Sequence, residues 1–106
     1  MFQTPAPSSR PAAAGRTPKF SLGQIVATPA ALALLDEHQV SPLDLLARHA
    51  CGDWGDLPAD DAVLNDMALQ SSGRLLSSYP IAPNTKIWVI TEADRLATTV
   101  LRPEDY

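Results

Sequence analysis

The sequence predicts an α+β fold: three N-terminal helices packed on a C-terminal three-stranded antiparallel β-meander, in a single domain over residues 20–106. Three observations predict it. Between residues 28 and 73 the chain has helix formers behind Thr-Pro and Ser-Pro starts. After Gly73 the composition turns β-branched and aromatic, in runs of ordinary strand length. The last connection, around "ADRL", is short enough for a hairpin.

Residues 1–19, "MFQTPAPSSRPAAAGRTPK", come before the domain. They are rich in Pro, Ala and Ser and poor in large apolar groups, so a disordered tail is expected. In "FSLGQIVATPAALALLDEHQV", the residues Phe20, Leu22, Ile25 and Val26 form either a short strand or an apolar lead-in. Thr28 then caps a helix with Pro29 at its first position, and Leu32 and Leu35 share a face. "SPLDLLARHACGDWG" repeats the device: Ser41 caps, Asp44 favours the helix dipole, and Leu43, Leu46, Ala47 and Ala50 are the expected buried stripe. A third helix starts near Pro58, with Leu64, Met67 and Ala68 as its stripe, and ends at Gly73.

The expected strands are "RLLSSY", "KIWVITE" and "ATTVLR", with the two prolines of "PIAPN" keeping that connection out of the ladder. Alternation along the middle strand places Ile87, Val89 and Thr91 on one face and Trp88, Ile90 and Glu92 on the other. Helices can cover only one face. Trp88 and Ile90 are therefore an expected contact surface, extended by Glu92, Asp94 and Arg95 of the hairpin loop. Those loop charges are expected to stay solvated.

Charge narrows the partners. The tail has three basic residues and no acid, whereas residues 20–106 have five basic against twelve acidic residues, a formal −7. Nucleic-acid binding depends on Lys and Arg neutralising phosphates, so this balance disfavours it and suits a protein partner. There is no run of about 18 apolar residues for a membrane span and no signal-like apolar core. Cys51 is the only cysteine, which rules out an internal disulfide and fits the reducing cytoplasm. A monomer or weak homodimer is expected.

Catalysis is the competing reading. A metal-independent ribonuclease needs a general base, a general acid and a cation on the phosphate. His49, Arg74, Thr91, Arg95 and Thr98 can supply these types if the second helix packs over the strands. Each also has a plain structural role open to it, as a cap, a turn charge or a strand residue. No cofactor or metal is expected: His38 and His49 are not at ligand spacing, and there is no phosphate-cradling glycine loop and no Gly-x-Ser-x-Gly. Trp54, between two glycines in "CGDWGD", is expected to plug the edge of the core.

Two motifs, His-x-x-Gly-Asp-Trp-Gly from His49 and Ile-Thr-Glu-Ala-Asp-Arg from Ile90, resemble a family of small bacterial proteins carried on plasmids and integrative elements. The resemblance covers about residues 20 to 106 and departs from the family at "YPIAPNTK". It implies an accessory protein of a mobile element, acting by contact with a host defence or regulatory complex, and no known chemistry. A looser likeness, helices followed by an antiparallel sheet, looks like the barnase and RelE-like ribonuclease class, which is typically basic where this chain is acidic.

Overall fold

The computed structural model describes residues 17–106. The first sixteen residues of the expected tail lie outside them. The elements are strand β1 (Gln24–Ala27), helices α1 (Pro29–Glu37), α2 (Pro42–Ala50) and α3 (Ala59–Ser71), then strands β2 (Leu75–Ala82), β3 (Thr85–Thr91) and β4 (Ala97–Leu101). A short 3-10 turn, Pro103–Asp105, closes the chain.

The architecture differs from the expected meander. The sheet has four strands in the order β1-β4-β3-β2, and β1 runs parallel to β4 while the other pairs are antiparallel. The helices are therefore inserted between the first strand and the rest rather than preceding the whole sheet. Gln24–Ala27 is a strand because β4 offers it a ladder, with Gln24 beside Ala97 and Ala27 beside Val100. Two parallel strands need a long crossover, and everything from α1 to β3 supplies it.

Local chemistry starts the helices where the sequence indicates. The Thr28 hydroxyl accepts from the Ala31 N–H at 3.1 Å, and the Ser41 hydroxyl accepts from the Leu43 N–H at 3.2 Å. The 3-10 turn returns to this first cap, where Thr28 donates to Asp105 at 2.7 Å. Hydrogen bonds from Arg102 and then Thr28 hold the Asp105 carboxyl well below the usual carboxylate range.

The core lies between α1, α2 and one face of the sheet, where Ala31, Leu35, Leu45 and Leu46 meet Tyr79, Ile87, Val89 and Val100. The helix faces differ from those expected. In α2 the buried side is Leu45, Leu46, His49 and Ala50, while Leu43 is 72% exposed. In α3, Asn65 and Ala68 are buried and Leu64 and Met67 are each 61% exposed.

The reason in α3 is the sheet edge. Asn65 sends its amide N–H to the Leu76 carbonyl at 2.6 Å and accepts the Leu76 N–H at 3.2 Å. That amide replaces a missing strand, and a leucine there would leave both main-chain groups unsatisfied.

"PIAPN" also differs from expectation. β2 continues through Pro80 to Ala82 with a register shift, and the turn falls at Asn84, with φ of 60°. β2 is an edge strand, where a proline without an N–H is tolerated.

Candidate functional site

His49 is the centre of a buried chain of polar groups. Its Nδ1 lies 2.6 Å from Ser77 Oγ and its Nε2 2.9 Å from Thr91 Oγ1. Thr91 Oγ1 lies 2.7 Å from Thr98 Oγ1, and Thr98 donates to the Leu22 carbonyl at 2.7 Å. The register makes this possible, because Thr91 sits opposite Thr98 on β4 and Leu75 on β2, two residues before Ser77 on the same face.

The far end sets the direction of every proton. The Leu22 carbonyl can only accept, so the Thr98 hydroxyl proton goes there and Thr98 accepts from Thr91. Thr91 must then accept from His49 Nε2–H, which leaves Nδ1 as the acceptor of the Ser77 hydroxyl. His49 is the neutral Nε2–H tautomer with both nitrogens in use. Burial, and secondarily the Arg95 charge, bring its pKa down to about 4. Phe20 and Trp54 close over it, with ring centroids 5.2 and 5.7 Å from the imidazole.

His49, Ser77, Thr91 and Thr98 are all fully buried, so this set has no open approach for a phosphate. The cations go elsewhere. Arg74 lies on the opposite face, donating to Tyr106 Oη at 3.0 Å and pairing with Glu92 at 3.5 Å. Arg95 is turned inward rather than solvated. Its guanidinium donates to the carbonyls of Gly73 and Ala68 at 2.6 and 2.8 Å, clamping the β3–β4 hairpin to the end of α3. Asp94 is exposed and accepts the Leu96 N–H at 2.9 Å as a turn residue.

Both sequence motifs are thus occupied in building the fold. In the first, Gly52 and Gly55 have φ of 83° and 76°, and a side chain on Gly55 would strike the Ser78 carbonyl. Asp53 accepts from Arg48 Nε at 2.7 Å, while its carbonyl takes the buried Tyr79 hydroxyl at 2.6 Å. Burial pushes the Tyr79 phenol up. Trp54 is 7% exposed and donates to Asp66 at 3.0 Å, and so plugs the core edge. In the second motif, Thr91 belongs to the buried chain and Arg95 to the clamp.

The opposite sheet face is partly covered: Ser78, Ile90 and Leu101 are buried there, while Leu76, Trp88 and Thr99 are half-buried. Trp88 is half-buried there, with the Tyr106 ring 5.9 Å away. On one side is an almost wholly apolar hollow of about 240 Å³, walled by Leu76, Ile90 and Tyr106 with Arg74 at its rim. On the other is one of about 560 Å³, reaching past Ser78 to Leu57, Pro58 and the acids Asp56 and Asp61. Leu76 and Trp88 line both, so the two hollows adjoin along a shallow groove across this face.

Of the residues the sequence puts forward for contact, Trp88 lines this groove half-buried, Ile90 borders it but is buried at 6% exposed, and Glu92 meets it through Arg74. Asp94 and Arg95 are no part of its lining. Leu76 and Tyr106 were not legible as partners of Trp88. The alternation in "RLLSSY", which separates Leu76 from Leu75, is the one signal that bears on Leu76.

No group of three or more His, Cys, Asp or Glu among the described residues is placed to hold a metal. No helix among them is long and apolar enough to cross a membrane. No family model, curated protein or solved structure matches the chain.

Proposed function

We propose that this chain works by binding another protein through the sheet face that carries Trp88. Trp88 carries the reading: a half-buried tryptophan between two adjoining hollows, on a face that α1 and α2 leave uncovered. Aromatic anchors beside apolar pockets are where binding energy concentrates. The partner surface is apolar with a basic element, because Asp61 flanks the groove and residues 20–106 carry a formal −7, whereas Asp56 is already paired with Lys86 of the same wall at 3.0 Å. The setting we propose is the one the motif resemblance implies: a cytoplasmic accessory protein of a mobile element, directed at a host defence or regulatory complex.

The ribonuclease reading loses its support in the geometry. A general base must present a lone pair to its substrate, and His49 has none to present. The test is the affinity of the purified partner, once it has been captured from the native host. Trp88→Ala is expected to weaken binding about 30-fold or more, the loss of a hot spot. His49→Gln is expected to leave it within about twofold. Equal affinity for wild type and Trp88→Ala would end the proposal.

A further inference from the structure

Trp88 does not face its surroundings alone. Tyr106, just after the 3-10 turn, sets its ring edge to face against the indole, with centroids 5.9 Å apart and planes at 68°. Its hydroxyl accepts from Arg74 Nη1 at 3.0 Å, and the same guanidinium stands 5.8 Å from the ring centroid. Indole, guanidinium and the flanking Leu76 thus form a seat for one phenol, with apolar walls, an aromatic neighbour and a donor placed for its oxygen. The occupant is held loosely, because Tyr106 is 71% exposed. The backbone behind it is held firmly. Asp105 accepts from the Thr28 hydroxyl at 2.7 Å, from Arg102 Nη2 at 2.7 Å and from the Arg102 N–H at 3.0 Å, which pins the turn to the start of α1. A rotation of the Tyr106 side chain therefore empties the seat without unfolding anything, and leaves the ring tethered at its rim.

We propose that this seat recognises a tyrosine side chain of the protein partner, and that Tyr106 is its intramolecular competitor. The proposal rests on the protein-binding reading and names the group that the Trp88 face receives. Three features select a phenol. A hydroxyl gives the Arg74 N–H an acceptor, which a Phe or Leu side chain cannot. The indole favours an aromatic ring over an aliphatic chain. Glu92 pairs with Arg74 at 3.5 Å and offsets its charge, so the seat suits a neutral hydroxyl rather than a carboxylate. Tyr106 shows that one phenol meets all three together. An external tyrosine finds the seat free only part of the time, and its apparent affinity is lowered by that fraction. A single aromatic contact, largely in water, holds Tyr106, so the expected factor is about three to ten.

Titration of N-acetyltyrosinamide into the full chain, followed at the Trp88 indole N–H by nuclear magnetic resonance, tests this. In Tyr106→Ala the expected result is saturable shifts at Trp88 and Leu76, with a dissociation constant of about 1–10 mM. Wild type is expected to show the same shifts with an affinity about threefold or more weaker. N-acetylleucinamide is expected to bind Tyr106→Ala about threefold or more weakly than the tyrosine amide does. Adding Arg74→Met is expected to erase the preference for N-acetyltyrosinamide over N-acetylphenylalaninamide. Three outcomes would overturn the proposal. One is no saturable shift in Tyr106→Ala up to about 30 mM. Another is equal affinity for the leucine and tyrosine amides, and the third is wild type binding as tightly as Tyr106→Ala. These titrations need no partner. The tyrosine seat fails alone if they fail while Trp88→Ala still weakens partner binding. The protein-binding reading fails alone if the amide binds and partner affinity ignores Trp88→Ala.

Discussion

His49 Nε2 lies 2.9 Å from Thr91 Oγ1, and that contact joins α2 to the middle of the sheet through a buried polar chain. His49→Ala removes a donor and an acceptor together, stranding Ser77 and Thr91 beside a cavity. A loss of about 3 kcal/mol or more is expected by urea denaturation. His49→Gln, which offers one donor and one acceptor, is expected to recover a good part of it. Equal stability of wild type and His49→Ala would show that the chain contributes nothing.

The same histidine sets a pH dependence. Its folded pKa is about 4, below the ordinary unfolded value, so the unfolded chain binds the proton first as pH falls. Its contribution is full above about pH 6.5 and declines as pH drops towards 4, by about 3 kcal/mol. Denaturant midpoints measured across that window are expected to fall, and in His49→Gln the fall should be clearly smaller. A slope unchanged by His49→Gln would place the titration elsewhere.

Asn65 makes a sharper test of the sheet edge. Asn65→Ala strands the Leu76 N–H and carbonyl and is expected to cost about 2 kcal/mol. Asn65→Asp keeps the acceptor and sets a carboxylate against the Leu76 carbonyl, so it is expected to be at least as damaging. Fast hydrogen exchange at Leu76 in either variant, against slow exchange in wild type, would place the loss at this contact. Wild-type stability in Asn65→Ala would show that the edge needs no cap.

Trp54→Ala is expected to destabilise by about 3–5 kcal/mol, as large aromatic truncations do, because Trp54 closes over His49 and packs with Leu75 and Ala68. A loss under about 1 kcal/mol in thermal or urea melts would mean that the ring is not part of the core.

Much of this structure is local and was legible in the sequence. Thr28 and Ser41 announce their helices because a capping hydroxyl followed by proline acts within one turn. The alternation of Ile87, Val89 and Thr91 on one face of β3 follows from the period of two. What was hidden is non-local. Gln24–Ala27 is only four residues long and becomes a strand by pairing with residues more than seventy positions away. Hydrophobic periodicity in α3 pointed to Leu64 and Met67, but the edge of β2 needed an amide, and Asn65 turned inward instead. Arg95 reads as a solvated turn charge, because nothing nearby in sequence announces the carbonyls of Ala68 and Gly73 that receive it. The groove around Trp88 was half visible, its tryptophan by alternation and its far wall not at all.

Site-specific photocrosslinking in the native host tests the central claim most directly. A benzophenone side chain would replace Tyr106, 71% exposed and lining the same hollow as Trp88, in one variant and Leu43, 72% exposed on α2, in another. The account predicts a discrete crosslinked product with a protein other than this chain from position 106, and none from position 43. A product from position 43 alone, or none from either, would contradict it.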